Sequence, residues 1–217
     1  MYVSDCIQII ILGYALGSIP FGVLLAKIFR LPDPRYIGSG NIGATNMLRA
    51  GNKKVALLTL VLDASKGAAA VLITRHLFRV AVVQGCIGDC PDYIYNHGYE
   101  ALAVLCAAVG HMYSPLLNFK GGKGVATLFG GALAFSWPVG MAGLFFWLII
   151  MFLTRYVSLA SIIALLVSPL VVWLRVDGVS AFILAIASAI AIWKHRDNIK
   201  RLRNGFEPRM KFGKKED

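Results

Sequence analysis

The sequence is poor in charge. Asp, Glu, Lys and Arg make up 15% of its 217 residues, against about a quarter in an ordinary soluble domain. With 58% hydrophobic residues, the chain cannot cover a water-facing surface. That excludes a typical soluble enzyme and a disordered protein. Acidic residues are the scarcer kind, 11 against 22 Lys and Arg, for a net charge of +11. On so apolar a chain this excess fits cytoplasmic loops beside anionic lipid, not nucleic-acid binding. Cysteine is sparse at four residues, which excludes a disulfide-dense secreted scaffold. Cys6 and Cys106 read as apolar filler. Cys86 and Cys90, in CIGDC, have no second ligand pair to make a metal site; a disulfide and two free thiols both fit them. There is no internal repeat and no low-complexity run.

What the sequence has is long apolar runs. Crossing the hydrocarbon takes about 20 residues per helix. Seven segments are predicted to span, near 7–29, 55–78, 99–117, 124–137, 139–153, 157–174 and 179–194. Pro20 is expected to kink the first. The fourth and fifth are short, and the pause at Ser136, Trp137 and Pro138 separates them. With seven spans, residues 30–54, 118–123, 154–156 and 195–217 share one side and carry 16 Lys and Arg; the opposite segments carry 2. The bias predicts a cytoplasmic C-terminus and an external N-terminus. A six-span chain would put the basic first loop and the basic tail on opposite sides. The first span is not read as a cleavable signal, since MYVSDC has Asp5 and no Lys or Arg. The whole of 1–217 reads as one membrane-embedded domain. Its stretch 195–217 includes a basic tail suited to anionic headgroups.

In such a bundle the informative residues are polar groups in the spans and glycine-rich loops. Nearly all gather on the predicted cytoplasmic side. One cluster is Gly38, Ser39, Gly40, Asn41, Ile42, Gly43, Ala44, Thr45 and Asn46, followed by Arg49. Its glycines let the backbone turn several N–H groups toward one place. Thr45 or Asn46 is expected to cap a short helix there. Such a loop suits an anionic oxygen ligand, most simply phosphate, and a flexible linker is the other reading. A second cluster is Phe119, Lys120, Gly121, Gly122, Lys123, Gly124, Val125, Ala126 and Thr127. It fails as a nucleotide P-loop, because Leu117 holds the first glycine position and Gly124 the Ser/Thr position. What remains is a tight turn with two ammonium groups at a helix start, suited to an anion or to lipid headgroups.

Other signals are weaker singly. Ser158 and Ser161 share a helix face, as His195 and Asn198 do if 194–201 is helical. Asp63 and Lys66, about halfway along the second span, must pair; a structural ion pair and a proton relay both fit. His111, beside Tyr113 near the end of the third span, reads as a structural histidine or a base.

Together these blocks resemble the bacterial acyl-phosphate:glycerol-3-phosphate acyltransferases, the PlsY type. The resemblance rests on GSIPFG at 17–22, GSGNIGATN with Arg49 at 38–49, and LDASKG at 62–67. It continues through GHMYSPLLNFKGGKGVAT at 110–127, RYVSLAS at 155–161 and HRDNIKRLRNG at 195–205. The resemblance implies an all-α integral membrane protein of seven transmembrane helices in the bacterial inner membrane, active on the cytoplasmic side. It implies transfer of a fatty acyl group from acyl phosphate to the sn-1 hydroxyl of glycerol 3-phosphate, giving lysophosphatidic acid in phospholipid synthesis. No cofactor, no metal and no nucleic-acid partner is implied; the partners are the two substrates and membrane lipid. The catalytic residues carried over are Ser39, Arg49, Lys123, Ser158, His195 and Asn198. The substrate-phosphate-binding residues are Gly38, Gly40, Asn41, Gly43, Thr45, Gly121, Gly122 and Gly124.

The residues suit that chemistry. Two anionic substrates repel, and Arg49 and Lys123 offset this. The other glycerol-phosphate acyltransferase type uses a His-x4-Asp motif; here the fifth residues beyond His76, His97, His111 and His195 are Ala81, Leu102, Leu116 and Lys200. No nucleophile and base are placed for an acyl-enzyme, so direct attack by the hydroxyl is simplest. The resemblance implies that the acyl phosphate's own oxygen takes the proton, leaving His195 as base or as positioning group. A small transporter of a phosphorylated metabolite is the alternative, and a membrane scaffold a third. A transporter needs polar residues toward both faces, whereas the outer halves read as almost purely apolar.

Overall fold

The computed structural model describes residues 3–85 and 97–210, with side chains for 3–77 and 97–210. Cys86 and Cys90 lie outside the described residues. Among the described residues there are ten α-helices and no strand. They are α1 (Val3–Gly17), α2 (Phe21–Ile28), α3 (Ala44–Arg49), α4 (Lys53–Gly85), α5 (His97–Met112), α6 (Val125–Phe135), α7 (Trp137–Thr154), α8 (Val157–Arg175), α9 (Gly178–Lys194) and α10 (Arg196–Arg203).

Five stretches are long and apolar enough to cross a membrane: Val3–Ile28, Lys53–Leu77, His97–Leu117, Trp137–Thr154 and Val157–Arg175. A sixth arises if α9 and α10, bent by 58°, count as one. Pro20 breaks the first stretch, as expected, since it cannot donate to the preceding turn. Helix α6 has 11 residues, a rise of about 16 Å, half the hydrocarbon thickness of about 30 Å. The break before α7 falls at Ser136, with φ −154°, rather than at Pro138. Pro138 sits in the first turn of α7, where no N–H is needed.

Two ungapped contacts hold α4 against α6. A Cβ on Gly67 would stand 2.0 Å from the Thr127 carbonyl oxygen, and one on Gly130 2.0 Å from that of Ala64. Helices α4 and α6 therefore touch backbone to backbone, as small residues allow inside a membrane. The core between α5, α6, α8 and α9 is filled by Val104, Met112, Leu128, Phe135, Val172 and Leu184. Ile11, Leu57, Val61, Leu72, Phe152, Trp173 and Phe182 are exposed on the outside. That apolar surface suits hydrocarbon, and the chain is a multi-pass membrane protein.

One expectation is corrected. The end of the bundle away from loop 30–54 is not almost purely apolar. Arg75 on α4 donates Nε to the fully buried Glu100 of α5. Its Nη2 donates to the Ala134 and Phe135 carbonyls at 2.7 and 3.1 Å. Ending α6 in mid-bundle leaves carbonyls without intrahelical partners, and this guanidinium supplies them.

Candidate active site

A cavity of about 220 Å³ opens where the loops before α3 and α6 meet α8, α9 and α10. Ser39, Arg49, Lys123, Ser158, His195 and Asn198 all line it. They come from four separate blocks of the sequence. Of the predicted phosphate-binding residues, Asn41, Gly43, Thr45 and Gly124 line it too; Gly38, Gly40, Gly121 and Gly122 do not. Its other wall is apolar, with Leu60, Phe129, Leu144, Trp147 and Val157.

The first loop is held by one side chain. Asn46 accepts the Ser39 N–H at 3.0 Å and donates to the Pro34 and Ile37 carbonyls at 2.9 and 3.1 Å. Gly38, at φ 54°, leaves no room for a Cβ beside Asn46 Oδ1. The expected cap is corrected. Helix α3 starts at Ala44 with Gly43 as a cap that lends no side-chain bond; Asn46 is already helical, so its amide faces the loop instead. Arg49 closes this helix. It is exposed and, among the described residues, makes no hydrogen bond or ion pair.

The second loop folds back onto the end of α5. The Gly121 and Gly122 N–H groups donate to the Met112 and His111 carbonyls at 3.2 and 3.1 Å. These two glycines pack the turn against α5, so that Lys123 projects into the cavity. Lys123 donates to Asn198 Oδ1 at 2.5 Å. Burial, helped by the Arg49 and Arg201 charges, pushes its pKa down to about 8. The Glu207 charge opposes this shift without cancelling it.

Helix α9 ends at Lys194, and α10 turns away at His195. The His195 Nδ1–H donates to the Ala191 carbonyl at 2.8 Å, which leaves Nε2 as the free acceptor of a neutral ring. Burial, then the Lys123 charge, pushes the His195 pKa down to about 4. Ser161, one turn beyond Ser158, accepts from Trp147 Nε1 at 3.2 Å.

Glu207 was not legible in the sequence. Buried to 5% exposure, it accepts from Ser158 Oγ at 2.7 Å, Asn198 Nδ2 at 2.6 Å and Arg201 Nε at 2.8 Å. Burial pushes its carboxyl up, but these bonds outweigh that and hold it below the usual carboxylate range. The only signal was an isolated acid after a strongly basic helix. Asp63 and His111 also line the cavity, joined through Lys66. No group of His, Cys, Asp and Glu suited to a metal occurs among the described residues.

The arrangement offers two cations, hydroxyl and amide groups and a neutral imidazole beside an apolar wall. That combination suits a phosphate-bearing molecule meeting an acyl chain. The family model described as glycerol-3-phosphate acyltransferase matches residues 7–205. The glycerol-3-phosphate acyltransferase of Agrobacterium fabrum is 44% identical over 202 residues, 92% of this chain and 89% of that protein. That of Jannaschia sp. is 44% identical over 201 residues, 92% and 90% of the two chains. The crystal structure of PlsY, an integral membrane glycerol 3-phosphate acyltransferase, in its glycerol 3-phosphate form superposes with a TM-score of 0.82. It is 37% identical and covers 95% of this chain and 96% of that one. With match and geometry in agreement over nearly the whole chain, this membrane-embedded acyltransferase belongs to the glycerol-3-phosphate acyltransferase family.

Proposed function

We propose that the enzyme transfers a fatty acyl group from acyl phosphate to the sn-1 hydroxyl of glycerol 3-phosphate, releasing lysophosphatidic acid and inorganic phosphate. The observation that carries this is the pairing of Arg49 and Lys123 with an apolar wall in one cavity. Two phosphates can be held by the cations while an acyl chain lies along Phe129, Leu144 and Trp147. The hydroxyl oxygen attacks the acyl carbonyl carbon, a new C–O ester bond forms, and the bond from that carbon to the phosphate oxygen breaks. The hydroxyl proton leaves on the departing phosphate. His195, neutral near pH 7 with Nε2 free, positions glycerol 3-phosphate by accepting a hydrogen bond from its other hydroxyl, which leaves the sn-1 proton to the departing phosphate. Ser39 and the second N–H of Asn198 donate to phosphate oxygens, and the loop N–H groups add to them; Ser158, whose proton goes to Glu207, holds that carboxylate in place beside them.

The site faces the cytoplasm of the inner membrane in a seven-passage chain. The 16-to-2 distribution of Lys and Arg supports this placement, with α6 as a short fourth passage and residues 1–217 as one domain. The test is purified protein with palmitoyl phosphate and glycerol 3-phosphate, following phosphate release with no added metal or nucleotide. Turnover is expected. Equal or better turnover with acyl-CoA, or its abolition by a chelator, would overturn the assignment of the donor.

A further inference from the structure

The cavity has a histidine that the reading above does not use. Lys66 Nζ makes two directed hydrogen bonds, to the Ile19 carbonyl at 3.0 Å and to His111 Nδ1 at 2.7 Å. It also lies 3.0 Å from Asp63 Oδ1, but off the hydrogen-bonding direction, since that oxygen has no hydrogen bond. The contact is an ion pair by distance. All three side chains are buried, at 5% exposure or less.

This fixes the state of the imidazole. Asp63 Oδ1, 3.0 Å from Lys66 Nζ and 3.5 Å from His111 Nδ1, is the counter-charge of this buried group. An ammonium has only donors, so against Lys66 as the ammonium His111 Nδ1 is the acceptor, and the ring proton sits on Nε2. That nitrogen lies beside Gly122, where a Cβ would stand 2.1 Å from it. His111 lines the cavity together with Lys123 and Gly124. We propose that His111, locked by Lys66 as its Nε2–H tautomer, is a further substrate-binding residue that donates this N–H to an oxygen of glycerol 3-phosphate held beside Lys123. The inference rests on the acyltransfer reading.

A ground-state contact of this kind shows in KM and not in kcat. Replacing His111→Leu is expected to raise KM for glycerol 3-phosphate on the order of tenfold, as loss of a hydrogen bond to a charged group does. The KM for acyl phosphate and kcat stay near the wild-type values. His111→Gln, whose amide can present N–H near the Nε2 position, recovers most of the loss. In 15N spectra of histidine-labelled protein, the resonance missing from His111→Gln should show the Nε2–H pattern and shift on adding glycerol 3-phosphate. An unmoved KM in His111→Leu, a loss confined to thermal stability, or an Nδ1–H pattern overturns the proposal. If His111→Leu does not fold, the glutamine variant and the wild-type spectra decide. Absence of turnover by the wild-type protein would overturn the acyltransfer reading instead; the spectral titration reads His111 without turnover.

Discussion

Ser158 and Glu207 lie 49 residues apart in sequence and 2.7 Å apart in the site. The same carboxylate oxygen receives Asn198 Nδ2 at 2.6 Å. One acid thus joins the start of α8, the α10 helix and the segment after it. Met210 N–H completes the strap by donating to the Arg155 carbonyl at 2.8 Å.

Replacing Glu207→Ala should therefore loosen the site and lower stability. Ser158 and Asn198 lose a charged acceptor in a buried setting, a cost of about 1.5–3 kcal/mol. Thermal unfolding in detergent should show a lower midpoint, with Glu207→Gln intermediate. A midpoint equal to wild type would mean that the strap contributes nothing to the fold.

Lys123→Ala and Arg49→Ala should each cut turnover roughly ten- to a hundredfold while leaving the protein folded. Lys123→Arg should also be poor, since a planar fork does not replace a compact ammonium bonded to Asn198. Lys120 is the control: it sits in the same turn, exposed and off the cavity. Phosphate release, after each variant is shown to elute as folded protein, is the measurement. Full activity in Lys123→Ala would remove the turn from the site.

The pH profile should report Lys123. Its pKa is lowered to about 8 in the ligand-free protein, so the cation fades as pH rises through that value. Accordingly kcat/KM for glycerol 3-phosphate should fall above pH about 8, since this quantity reports the free enzyme. Bound phosphate favours the cation, which moves the fall in kcat to higher pH. His195, at about 4, should stay neutral through the neutral range. A flat kcat/KM profile across the alkaline limb would contradict this.

A reporter fused after Asp217 should behave as cytoplasmic, and one at Met1 as external. The charge bias predicts this, with odd passage number as its consequence. Termini found on the same side would rule out seven passages.

Composition by itself determined that hydrocarbon surrounds this chain. The apolar runs located the long helices within a few residues, because each helix satisfies its own backbone within one continuous segment. The glycine-rich blocks marked both loops, because residues that permit sharp turns are adjacent in sequence. What only the tertiary structure decided depends on contacts between distant residues. Asp63 and Lys66 were visible as an i, i+3 pair, but His111, 45 residues beyond Lys66, has no local pattern that joins it to them. Arg75 and Glu100, 25 residues apart, have no local pattern that joins them; they met only when α4 and α5 packed. Helix α6 read as a short span, but that its last carbonyls end on Arg75 was decided by the packing. Periodicity reports which face of a helix is apolar; which side chain waits opposite a buried charge is set only when two helices meet, where an unpaired charge in low dielectric would cost several kcal/mol.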